Sequence, residues 1–230
     1  MELREYMSIR RAYNLVRKDV SSQQRLTFEE YAILAHLYRG DRTYKTSEIA
    51  EYQRVLRPTM THRTNHLAEL GYIDRQEGDE DRRNVCCTIS QAGIDELMHL
   101  SELVCGCIPK GYPLHRIDAN RTVAYVDAMG SFFCTAGDLS LLGLELLGGS
   151  TDTVTSLVEA LGLLQPTVSM SISTLSKKGM IERRRNVETT ARTVSIVLTE
   201  KGQKQVDFLL ELIDEFVVRR SHYNIRTSIE

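Results

Sequence analysis

The sequence predicts an α+β, predominantly helical chain built as two tandem winged helix-turn-helix domains, packed through long helices as a pseudo-dimer. Three observations predict it. The chain repeats itself at a constant offset. Each copy carries a polar helix that opens on Pro and closes on Gly. Each such helix runs into a short, charged hairpin.

The internal repeat decides the architecture first. Pro58 and Pro166 lie 108 positions apart, and so do Thr27 and Thr135, Leu34 and Leu142, Gly40 and Gly148, Glu51 and Glu159, and Gly71 and Gly179. No gap is needed between Thr27 and Ile73. One extra residue enters after Ile181, because Gly93 pairs with Gly202 at an offset of 109. The Gly and Pro residues of "CGCIPKGYPLH" read as the connection between halves. The predicted domains are residues 1–108 and 109–230.

In copy one, a first helix is predicted from about Phe28 to Arg39, with Tyr31, Leu34, Leu37 and Tyr38 on one face. Thr27 can cap it, and Glu30 stands three residues on, as a capping box requires. A short helix follows at about Ser47 to Gln53. "RPTMTHRTNHLAELGYI" then reads as a third helix. Pro58 marks its start, where a missing N–H costs nothing, and Gly71 its end. "YIDRQEGDEDRRNVCCTIS" reads as two strands around a charged tip. Copy two repeats the pattern with "QPTVSMSISTLSKKGMI" and "MIERRRNVETTARTVSIVLT". Apolar stripes from Tyr6 to Val20, Ile94 to Val104, Val123 to Phe133 and Val206 to Val217 mark longer helices that bury one face.

Bulk properties narrow the function. The net charge of −2 carries no global basicity, although a balanced total can hide a basic face. No apolar run reaches the roughly 18 residues of a membrane span. The opening "MELREYMSIRRAYNLVRKDV" lacks the apolar stretch of a secretory signal. Five cysteines, an odd number, fit a reducing compartment, so a cytoplasmic location is expected. Cys86 and Cys87 are adjacent on a wing strand, Cys105 and Cys107 form a C-x-C, and Cys134 precedes copy two. Neither a metal nor a cofactor is expected from them. Nucleotide-loop, nucleophile-elbow and zinc-protease motifs are missing, so an enzyme is not expected.

These residues resemble the MarR family of bacterial transcription regulators. Copy one offers Ile49-Ala50-Glu51, then Pro58-Thr59-Met60-Thr61-His62, a wing with Asp81-Arg82-Arg83, and Ile89-Ser90-Gln91-Ala92-Gly93. Copy two offers Leu157-Val158-Glu159-Ala160-Leu161-Gly162, then Pro166-Thr167-Val168-Ser169-Met170, a wing keeping Arg192, and Leu198-Thr199-Glu200-Lys201-Gly202. The chain is similar to tandem forms of the family, such as the Sar-type regulators. The resemblance implies a double-stranded DNA operator as partner. It also implies a small aromatic effector seated between the long helices and the winged units, where Tyr13, Tyr31, Tyr38 and Tyr125 can line a cavity or fill ordinary core. The sequence leaves open whether two such chains associate further.

The third helix has little to bury, so it presents its side chains to something. Under the resemblance it is the recognition helix, with Thr59, Thr61, His62, Arg63, Asn65 and His66 toward a groove and Met60, Leu67 and Leu70 inward. Thr167, Ser169, Met170 and Ser173 form a poorer, more neutral face in copy two. Arg82, Arg83 and Arg192 are the wing-tip cations, and Lys177 heads a run of basic residues suited to phosphates. A His62–His66 metal pair weighs less than plain surface polarity. The copies depart from each other at Arg54 and Gly162, at His62 and Met170, and at Asp81 and Thr190, so a non-palindromic operator is expected. The rival reading is a tandem winged-helix adaptor that binds protein rather than DNA.

Overall fold

A computed structural model of the protein describes residues 1–18, 20–21, 24–77, 85–185 and 194–218. Helices α1 (Leu3–Lys18) and α2 (Phe28–Gly40) are followed by β1 (Tyr44–Lys45), α3 (Thr46–Tyr52), α4 (Arg57–Glu69), β2 (Ile73–Glu77), β3 (Val85–Ile89) and α5 (Gln91–Gly106). The same order of elements then recurs. It comprises α6 (Ala119–Met129), α7 (Ala136–Leu146), β4 (Ser150–Thr151), α8 (Val154–Leu161), α9 (Gln165–Lys177), β5 (Ile181–Arg185), β6 (Val194–Leu198) and α10 (Glu200–Asp214). Among these elements no helix is long and apolar enough to cross a membrane.

Local chemistry accounts for most element ends. Thr27 accepts the Glu30 N–H, and the Glu30 carboxylate accepts the Thr27 N–H at 2.7 Å, completing the predicted capping box. Thr135 and Asp138 do the same for α7. At the end of α4, Tyr72 N–H reaches Leu67 O and Gly71 N–H reaches Ala68 O, a Schellman closure with Gly71 at φ +76°. Gly179, at φ +70°, closes α9 in the same way, with Met180 bonded to Leu175 and Gly179 to Ser176.

The predicted hairpins are parts of three-stranded antiparallel sheets, in order β1-β3-β2 and β4-β6-β5. Ile73 pairs with Ile89, Tyr44 with Cys87, Ile181 with Leu198, and Ser150 with Val197. The two-residue strands β1 and β4 carry no period-2 pattern, so alternation could not reveal them. The short helix of copy one begins at Thr46, one residue earlier than the pattern suggested.

One apolar core runs through both halves. Helix α6 packs on α2 and α5, whereas α1 reaches across to α7, α8 and α10 as well as lying on α5. Helix α1 supplies side chains to the end of α8: Arg11 Nε donates to Glu159 O at 2.8 Å and Asn14 Nδ2 to Leu161 O at 2.9 Å. Asp127 of α6 accepts from Arg39 and meets His36 Nδ1, both at 2.9 Å, and its carbonyl accepts the Tyr52 hydroxyl. Tyr13 and Tyr31 stack inside this core, and the Tyr31 hydroxyl bonds Ser101.

Cysteine positions follow the same packing. Cys87 is buried on the inner face of β3 while neighbouring Cys86 is half-buried. Burial pushes the Cys134 thiol up to about 11, so it stays protonated at neutral pH. Iodoacetamide at pH 7.5 is expected to modify the partly exposed Cys107 and to spare Cys134 in the folded protein. Peptide mapping that found Cys134 alkylated first would contradict its burial.

Candidate nucleic-acid interface

Helix α4 buries Met60, Thr64 and Leu67, at steps of four and three, against the rest of its unit. Thr64 spends its hydroxyl on Met60 O at 3.0 Å, which makes its burial tolerable. Leu70 is half-buried at the helix end. On the opposite side Arg57, Thr59, Thr61, His62 and Asn65 are exposed. Four of the predicted groove-facing residues therefore share one open face.

Arg63 and His66 do not join it. The Arg63 Nη1 donates to Gln53 Oε1 at 2.6 Å, and its guanidinium lies 4.4 Å from the Phe133 ring centroid. Burial pulls its pKa below the ordinary guanidinium value. Gln53 is itself fully buried and donates onward to Glu29 O at 2.8 Å. His66 Nδ1 meets Glu30 Oε1 at 2.7 Å, on the carboxylate whose other oxygen caps α2. Both residues brace α4 against its neighbours. Half-buried, they turn toward Gln53 and Glu30 instead of standing in the exposed row.

Helix α9 buries Val168, Ile172 and Leu175 and exposes Met170, Ser173, Thr174 and Lys177. Thr167 and Ser169 are half-buried. The wing residues Asp81, Arg82, Arg83, Thr190 and Arg192 lie outside the described residues.

A basic cluster that motif reading missed stands beside α4. Lys45, Arg57 and Arg75 surround a crevice of about 110 Å³ with Thr46, Ser47 and Thr61. Among the described residues, Arg75 Nε is buried without a hydrogen-bond partner. Arg57, directly before Pro58, was visible in sequence; Lys45 and Arg75 come together only because β1, β2 and α4 meet. Cations at a helix N-terminus add to its partial positive charge, which suits a phosphate.

The equivalent positions in the second half are Thr153, Gln165 and Arg183, two of them neutral. There the positive charge sits at the other end of the helix. Lys177 and Lys178 are exposed where the first half has Glu69 and Leu70. Arg183 is exposed as well, and Arg184 is tied to Glu182 at 3.2 Å. The two helices thus carry their cations at opposite ends.

Residues 26–84 match the family model described as MarR family, a span running from the approach to α2 up to the residue before β3. No curated protein matches the chain. Over this span, which holds α2, β1, α3, α4 and β2, the chain is similar to the MarR family.

Proposed function

We propose that the chain is a sequence-specific regulator of transcription that grips one duplex with two recognition helices, α4 and α9. The observation that carries this reading is the exposed row of Thr59, Thr61, His62 and Asn65 beside the Lys45–Arg57–Arg75 crevice. Hydrogen-bonding groups for base edges then adjoin cations for a phosphate. The domains divide at residues 108 and 109. The crossed packing of α1 and α6 supports a pseudo-dimer within one chain. The wings, with Arg82, Arg83 and Arg192 at their tips, would add minor-groove contacts.

A cleft of about 230 Å³ supports a small aromatic effector. It is lined by Arg10, Tyr13, Phe28 and Thr167, among others. Arg10 is 5% exposed, its Nε and Nη1 lack partners among the described residues, and its guanidinium lies 4.1 Å from the Phe28 ring centroid. An effector with an acidic group would satisfy that guanidinium, and Thr167 would couple the cleft to α9.

The test is selection of bound duplexes from a random pool, followed by fluorescence anisotropy at several salt concentrations. Two dissimilar half-sites about one duplex turn apart are expected, with affinity falling steeply as salt rises. Thr61→Ala and Asn65→Ala are each expected to weaken specific binding about ten-fold. Arg63→Ala is expected to lower stability more than specificity. Affinity that ignores salt, with no sequence enriched, would establish the adaptor reading instead.

A further inference from the structure

We propose that α9 selects its half-site by apolar contact with thymine 5-methyl groups, with Met170 as the principal specificity residue. This rests on the DNA-binding reading above and assigns the chemistry of one half of it.

Met170 is 72% exposed on the outer face of α9, and no aromatic ring or long apolar side chain of the same helix covers it. The equivalent residue of α4 is His62, a hydrogen-bonding group. Two hydroxyls three and four residues beyond Met170 bond within the helix. Ser173 Oγ donates to Ser169 O at 2.9 Å, and Thr174 Oγ1 donates to Met170 O at 3.0 Å. Arg183 Nη2 donates to Ser173 Oγ at 3.4 Å. Ser173 and Thr174 thus have partners within the protein, which a base edge would have to displace. The large exposed apolar groups of this helix and its N-cap are the Met170 thioether chain and Leu164, 56% exposed.

Apolar surface of this kind can meet a protein or a base. The surrounding charge favours DNA: Lys177, Lys178 and Arg183 stand exposed at the far end of the helix and on the strand after it, where duplex phosphates would pair with them. In the major groove only thymine shows a methyl group, so an apolar reader distinguishes T from C without a hydrogen bond. Methionine is flexible and polarisable, which lets one side chain reach a methyl at either of two neighbouring steps.

Thymines in the selected duplex can be replaced singly by deoxyuridine, which removes only the 5-methyl group, and binding to the full chain followed by anisotropy. Within the α9 half-site, loss of a contacted methyl is expected to weaken binding about four-fold. Deoxyuridine in the α4 half-site is expected to change affinity less than two-fold. Met170→Ala is expected to abolish the difference between thymine and deoxyuridine, and Met170→Leu to keep it. Equal binding of both bases by the unaltered protein, or discrimination that survives Met170→Ala, overturns the proposal. Failure to bind any duplex at low salt overturns the parent reading instead.

Discussion

Gly93→Ala and Gly202→Ala are each expected to destabilise the protein by about 3 kcal/mol, near the top of the range for forced overpacking. Each glycine sits in the first turn of the helix that follows the hairpin, α5 or α10. A Cβ on Gly93 would lie 2.0 Å from Tyr72 O, and one on Gly202 would lie 2.0 Å from Met180 O. Both obstacles are backbone atoms of the segment after α4 or α9, so no side-chain rotation relieves them. Gly137→Ala is the control. Its Cβ would meet nothing closer than 3.5 Å, and alanine in the first turn of α7 is expected to add about 0.5 kcal/mol. Urea denaturation followed by circular dichroism reads all three. A loss below about 1 kcal/mol for Gly93→Ala would mean that the hairpin and α5 do not approach so closely.

Opposite signs are expected at the turns before α4 and α9. Gly162→Ala should cost about 3 kcal/mol, because Gly162 has φ +65° and its Cβ would lie 2.6 Å from Arg11 O on α1. Arg54 occupies the same place in the first half at φ +53°. It therefore keeps the left-handed turn, and Arg54→Gly should raise stability by about 0.5 kcal/mol. Relief of the left-handed strain is partly offset by glycine's greater unfolded-state freedom. The Arg54–Glu215 ion pair lost in that change is long, at 3.8 Å, and exposed, so it matters little. Denaturation midpoints that moved in the same direction for both variants would show that the turns are not equivalent.

The two turns also show how far local chemistry reached. Gly162 can take a left-handed turn freely, whereas Arg54 in the same place must either tolerate strain or adopt a different turn. Strain is what the first half accepts, because Val55 N–H returns to Ala50 O and holds the segment between α3 and α4. The capping box of Thr27, the Pro starts and the Gly stops were likewise legible, since each depends on backbone groups within five residues. The edge strands β1 and β4 were not, since a two-residue strand exists only through its partner.

The candidate interface divides along the same line. The low apolar content of α4 identified it as a helix that shows its surface, and Thr59, Thr61, His62 and Asn65 do lie open. Periodicity could not phase its polar flanks, because a helix polar on nearly every side has no single stripe to align. Arg63 was turned inward by Gln53 and by Phe133, 70 positions away, and His66 by a carboxylate already serving as a cap. The cation cluster of Lys45, Arg57 and Arg75 likewise required three elements to converge. By itself the sequence determined the repeated order of caps, turns and helices, because those signals act over a few residues of chain. Which polar side chains remain available to a groove was decided by the tertiary structure, because burying a charge or an amide requires a partner that only the fold can bring near.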